Sequence, residues 1–486
     1  MEALPEAVIW NVALSYCVTL SNVCGKARSS FETPYLVYRT GEIDALFQRL
    51  ALLSGVLCSV AWGQFGYEGP SILSGGSQGI GTRGGEQVDL RFFANLNAIY
   101  DTGLLPIATD VHGTITNSGA LFGVEGQIGG YGVHSWRKAQ LGLEYSGDYR
   151  HYTENSYYDG SDQHLLLGFT YQKSRRMIFN FRQMVGTYSN SFGSAFAVSG
   201  TTLNDVQNTT GTLLFDNRST FLQSAGSMTY VMSPRNSFSV GGEGYNVLRQ
   251  SRSLIGLNGY TLHGTFEHRL SQRTSIGVTY SHYHYDFPSA FGESTINSYM
   301  GGFARGFDRN RWFLKVQGGI MQTETEGLTT VTLDPAIAEI LGVPTIVETY
   351  YTKSTLPTGD ISLVRKFKNA ALSLDYTRGI NPGNGVYLTS KQEMAGVSVS
   401  YTGVQKVSMG LSANYGTYSS LGQTLGQYRS FGAAYTGSYA ITRALHLVGT
   451  VAYRKQDIQS SSFLNNAYRF SVGVAFSPGD IPLSLW

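Results

Sequence analysis

The chain has 486 residues, of which only 14% are charged, alongside 59 Gly and 32 Tyr but 12 Pro. A soluble globular chain is roughly one quarter charged, so this composition fits an ordinary set of two or three soluble domains poorly. Lys plus Arg (35) and Asp plus Glu (33) leave a net charge of +2, which argues against a strongly basic partner surface for nucleic acid.

In chain order, the first marked feature is one apolar run from Leu50 to Ala61, preceded by Arg49 and followed by Ala61-Trp62-Gly63. A run of about a dozen residues falls short of the roughly 20 that a spanning helix needs, and its flanks read as a secretory signal over 46–63. Cys58 follows Val56-Leu57 rather than small residues, against lipoprotein processing. Residues 1–45 are then expected to be a non-native extension, with translation starting near Leu46. Cys17, Cys24 and Cys58 all lie before the expected cut, so the exported part would use no disulfide.

Residues 64–86 form a Gly-rich lead-in with a formal GxGxxG at Gly79, Gly81 and Gly84. A dinucleotide site needs a strand before that motif and a helix after it, and here a strand follows. From residue 87 to 476 the pattern has period two, the signature of strands with one apolar and one polar face. Ala139, Leu141, Leu143, Tyr145 and Tyr149 alternate with Gln140, Gly142, Glu144, Ser146, Asp148 and Arg150. Val407 to Gly416 and Tyr468 to Phe476 repeat the split.

The punctuation between strands decides the architecture. Short polar turns fall at 135–138, 174–176, 233–236, 271–274, 308–311, 366–369, 403–406 and 441–444. Longer connections fall near 102–116, 152–162, 188–216, 249–253, 287–294, 325–347, 380–388, 417–427 and 456–465. Eight tight turns alternating with nine longer loops predict an all-β, antiparallel, up-and-down barrel of about eighteen strands, with sixteen as the nearest alternative. In hydrocarbon every backbone N–H and C=O needs an internal partner, which requires a closed sheet. Tyr149, Tyr152, Tyr415, Tyr418, Tyr453 and Tyr468 near strand ends suit aromatic girdles at the two interfaces.

With these features the chain resembles bacterial outer-membrane porin-like barrels over nearly all of 87–486. The resemblance implies outer-membrane lipid and the barrel assembly machinery as partners, and a homo-oligomer by analogy of fold. The last strand of that class ends on a terminal aromatic, for which Phe476 and Trp486 compete; 477–486 is either a tail or the end of that strand.

With the polar face inward, the expected pore-lining charges are Asp89, Arg91, Glu125, Glu144, Asp148, Arg150, Arg182, Glu243, Glu267, Arg269, Lys315, Asp375, Arg454 and Arg469. The two signs are equal in number, which predicts either a transverse field across a water-filled lumen or internal salt bridges such as Glu267 with Arg269. Asp334-Pro335 through Gly342 predicts a short helix in the 325–347 loop, with Asp as N-cap and Pro at the first position. Ile337, Ile340 and Leu341 would dock in the barrel mouth or against a neighbouring subunit, or else sit on an exposed lid.

No catalytic, cofactor or metal set is assigned. His282 and His284 share one strand face and would suit a metal near the outer rim, although polar girdle residues have the same pattern. His263, near Thr265 and Glu267, has nothing that separates it from a polar lumen residue. The expected function is an outer-membrane channel for passive or facilitated passage of small hydrophilic solutes. A conduit for an exported polysaccharide and a non-conducting barrel that binds a surface partner are the alternatives.

Overall fold

The computed structural model describes residues 91–103, 119–154, 156–189, 218–250, 255–288, 291–307, 311–332, 345–381, 389–421, 427–459 and 464–477. The expected extension, signal, lead-in, Asp89, the helix at 334–342 and Trp486 lie outside them.

The described residues form eighteen strands and one turn of 3-10 helix at Ser156–Tyr158. The first nine are β1 (Arg91–Thr102), β2 (Leu121–Ser135), β3 (Ala139–Tyr152), β4 (Gly160–Ser174), β5 (Met177–Tyr188), β6 (Ser219–Val231), β7 (Asn236–Arg249), β8 (Leu257–Ser271) and β9 (Thr274–Asp286). The rest are β10 (Gly292–Phe307), β11 (Trp312–Thr332), β12 (Thr345–Lys366), β13 (Ala370–Asn381), β14 (Ser390–Tyr401), β15 (Val407–Ser420), β16 (Tyr428–Ala440), β17 (Leu445–Ile458) and β18 (Leu464–Phe476).

Each strand pairs antiparallel with its neighbours in sequence, and β1 closes on β18 from Ala94↔Phe476 to Thr102↔Tyr468. The sheet therefore has no free lateral edge at the seam, the condition that a bilayer imposes. The last strand ends at Phe476, which pairs with both Ala94 and Leu445.

Four of the tight turns share a local cause. Ser174 Oγ accepts from Arg176 N at 3.2 Å, Ser233 Oγ from Arg235 N at 3.2 Å, and Ser271 Oγ from Arg273 N at 3.2 Å. Thr442 Oγ1 does the same for Ala444 N at 3.2 Å. A short hydroxyl side chain bonds the backbone two residues on and so reverses the chain in few residues. On the opposite rim, β1 is followed by Gly103, whose φ is +68° and whose added Cβ would meet Asn466 O at 2.5 Å; glycine alone meets both demands.

One connection differs from expectation. The loop placed at 325–347 is shorter, because β11 continues to Thr332 and β12 begins at Thr345, with all 21 residues of β11 paired to β12. β12 meets β13 only over Gly359–Lys366, so this hairpin projects beyond its neighbours on the long-loop side. Period two persists through Thr, Glu and Tyr there, and polarity alone does not end a strand.

The outward face is apolar around the barrel. Leu96 is 62% exposed, Val278 60% and Val472 56%, whereas the inward neighbours Asn97 and Ser281 are buried. Exposed to water, such a surface would cost about 25 cal/mol per Å²; against lipid tails it costs nothing. Among the described residues no helix is long and apolar enough to cross a membrane; the strands provide the apolar band. Outward aromatics pair across strands, at mid-strand in Tyr280 with Tyr299 (5.2 Å between ring centres) and nearer the long-loop ends in Tyr453 with Tyr468 (5.0 Å). At the tight-turn rim the Arg365 guanidinium lies over Trp312 at 4.2 Å and over Phe367 at 4.3 Å, a stacking that keeps its charge at the interface.

Two tyrosines expected in the girdle point the other way. Tyr152 and Tyr418 are 2% and 1% exposed; Tyr152 bonds Asp101 and Tyr418 packs on Tyr428 inside the barrel. Even spacing from a strand end fixes the face, and both stand an odd number of residues from the outward Tyr149 and Tyr415. The interior is also less uniformly polar than the alternation implied. Leu166, Met184, Phe221, Tyr285, Ile296 and Met321 form a buried apolar cluster on the inward face of β4 to β11, near the long-loop ends of those strands.

Candidate functional site on the charged inner wall

Beside the apolar cluster, with β4 common to both, inward side chains of β1 to β4 and β18 build a network of charges. Asp148 and Asp162 stand directly opposite each other across β3 and β4, an arrangement that is unfavourable for two carboxylates. Arg150 compensates both: Nη1 donates to Asp148 Oδ1 at 2.7 Å and to Asp162 Oδ2 at 3.1 Å, while Nη2 donates to Asp162 Oδ1 at 3.2 Å. Ser189, just past β5, donates its backbone N–H to Asp162 at 2.6 Å and its hydroxyl to the same oxygen at 2.8 Å.

Arg469 of β18 forms the second centre. It lies opposite Asp101 of β1, with Nε 3.6 Å from Oδ1, and its Nη2 donates to Glu125 of β2 across the closing seam. Tyr152 reaches over β2 and donates its hydroxyl to Asp101 Oδ2 at 2.5 Å. Glu125 stands in register with Arg150, which joins the two centres into one field. A planar guanidinium that binds carboxylates through two nitrogens fixes geometry as well as charge.

The remaining expected positions are dispersed over the inner face. Glu144 is buried with His164 Nε2 at 3.8 Å. Glu243 accepts from Gln223 on β6, and Arg182 of β5 lies in its field. Glu267 lies beside Ser275 and Arg269. Lys315 pairs with Asp360 at 3.1 Å, and Asp375 accepts from Ser362 at 2.7 Å and Ser373 at 2.5 Å. Arg454 is buried opposite Gly432. Arg91 opens β1.

Sequence reasoning missed Asp101, Asp162, Tyr152, Ser189 and Asp360 as inward groups. Asp162 falls inside a segment read as a connection, and Asp101 sits at the edge of one. Beginning the period-two pattern of β4 at Gly160 would have placed Asp162 on the inner face, and Asp101 already stood before the connection, on the same parity as the inward Asn97.

Fold and site together define a closed, eighteen-stranded transmembrane β-barrel with a charged inner wall. No protein-family model and no curated protein matches the chain in sequence. Among solved structures, it is similar to the outer membrane protein opdK from Pseudomonas aeruginosa, at 10% identity and TM-score 0.38, covering 80% of this chain and 99% of that one. OccAB4 from Acinetobacter baumannii is 10% identical at TM-score 0.35, covering 81% and 98%. The ferric-catecholate import receptor Fiu from E. coli K12 is 7% identical at TM-score 0.38, covering 81% and 82%. Likeness at this level carries no argument about function, and the barrel reading rests on the strand pairing itself.

Proposed function

We propose that this chain is a bacterial outer-membrane channel for passive or facilitated passage of small hydrophilic solutes. The observation that carries the proposal is the inner-wall network of Arg150, Arg469, Asp101, Glu125, Asp148 and Asp162 behind an apolar outer face. Charges held inside a wall that faces lipid need water or one another. An eighteen-stranded barrel is wider than its own side chains fill. An apolar cluster on the inward face of β4 to β11 continues that wall, so a solute passing it would meet charged and apolar side chains in turn, which favours a facilitated path over a wide open one. The chain then transports rather than catalyses. Its partners are outer-membrane lipid and, during biogenesis, the barrel assembly machinery, with Phe476 ending the closing strand.

Planar-bilayer recording of the purified protein tests the proposal. Stepwise conductance with weak ion selectivity is expected, and a protein that inserts without conducting would remove it. The projecting β11–β12 hairpin favours the second reading, a barrel that binds a partner outside the cell. Shortening that hairpin would then abolish binding to whole cells and leave conductance unchanged. Among the described residues, no feature of the inner wall favours a polysaccharide conduit over these two.

A further inference from the structure

The outer wall carries a row of like charges at its long-loop rim. Asp286 at the end of β9 is in register with Glu293 of β10, and Glu293 is in register with Glu326 of β11. Carboxylates placed directly opposite on adjacent strands destabilise a sheet. The nearby Lys353 is bonded to Glu324, one position away along the same face, and Asn258 stands on the other side of Asp286.

An imidazole completes the group. His284 lies on the same outward face, with Nε2 3.5 Å from Asp286 Oδ1 and Nδ1 3.2 Å from Thr295 Oγ1. The ligand atoms of His284, Asp286 and Glu293 all lie within 4.8 Å of one another. Thr295 takes one ring nitrogen and turns the other towards the carboxylates, the outer-shell arrangement that orients a ligating histidine. His282, the other histidine of this strand face, is drawn away to Asn297 Oδ1 at 2.9 Å. The Tyr260 ring lies 5.3 Å from that of His284, and the outward pair Tyr280 and Tyr299 stands at mid-strand, so the group sits at the loop end of the outer face.

We propose that His284, Asp286 and Glu293 form a divalent-cation site on the outer wall of the barrel, suited to a borderline metal such as zinc. One imidazole and two carboxylates on two paired strands supply three protein ligands, and water fills the open positions. The cation would also neutralise the opposed Asp286 and Glu293.

Calorimetric titration with zinc, on the full chain carrying Cys17→Ser, Cys24→Ser and Cys58→Ser so that thiolates do not compete, tests the site. One saturable site is expected. Glu293→Gln and His284→Asn should each weaken it about tenfold or more, and Thr295→Val by less, the size of effect that ligand and outer-shell losses produce. Glu326→Gln, in the acidic row but outside the trio, should weaken binding by clearly less than either ligand variant, since it removes only a through-space attraction. No saturable heat, full affinity in His284→Asn, or an equal loss in Glu326→Gln would overturn the proposal, the last because it marks a diffuse acidic field. Retained heat-modifiable mobility on gels checks that each variant is still a folded barrel.

Discussion

Arg150 on β3 holds Asp162 on β4 through both terminal nitrogens, at 3.1 and 3.2 Å, while its Nη1 also binds Asp148 at 2.7 Å. One guanidinium thus supports two carboxylates that the strand register sets face to face. Nearly all of its surface is buried, at 2% exposure.

Replacing Arg150 with Ala would leave two half-buried carboxylates without their cation. Removing one partner of a buried pair costs about 3–5 kcal/mol, readable as a lower urea midpoint for the barrel folded in lipid vesicles. If the lumen conducts, the same variant should shift the reversal potential in a salt gradient towards cation selectivity, because Asp148, Asp162, Glu125 and Asp101 then face Arg469 alone within the network. An unchanged potential would place this wall off the ion path.

Val472 tests the lipid-facing assignment. It sits mid-strand on β18, pairs with Ala98 and Gly449, and points outward. Val472→Arg should cost about 2–4 kcal/mol in folding to vesicles, the penalty of an arginine at the bilayer midplane. A cost near zero would mean that this face meets water or protein.

The closing seam depends on a close approach at Gly473. A Cβ there would fall 2.1 Å from both Leu96 O and Asn97 Oδ1, and backbone cannot retreat cheaply. Gly473→Ala should destabilise the barrel by roughly 1–3 kcal/mol, the usual range for overpacking, whereas Gly126→Ala, with open space around its Cβ position, should be nearly neutral. Comparing the two in one unfolding series isolates the seam.

The β3–β4 connection has a pH dependence of its own. Burial pushes the Asp159 carboxyl up, but the Tyr152 N–H at 2.8 Å and the His151 ring at 2.7 Å outweigh it and hold the group below its ordinary value of 3.8. A carboxylate with a depressed folded value stabilises fully above the ordinary value and loses that contribution as pH falls through the folded one. Protease cleavage within 153–159 should therefore stay slow at neutral pH and quicken below about pH 4. Asp159→Asn should be cleaved faster at neutral pH and lose that acid step.

Strand number, the sides of the tight and long connections, and the lipid-facing stripe were all legible in the sequence. Period-two alternation and turn chemistry are local properties, and a bilayer permits only the closed sheet. Faces were legible too, as for Glu144, Arg150 and Arg469, which all point inward. Neighbours were not. Arg469 and Glu125 are 344 positions apart and meet only because the barrel closes with one register between β1 and β18. Asp162 entered the network because its strand begins earlier than polarity suggested, Asp101 because it closes β1 opposite Arg469, and Tyr152 turned inward because its connection begins one residue later than expected. The apolar cluster inside β4 to β11 and the gathering of His284, Asp286 and Glu293 likewise depend on which rungs of separate strands stand side by side, which only the pairing of the folded sheet decides.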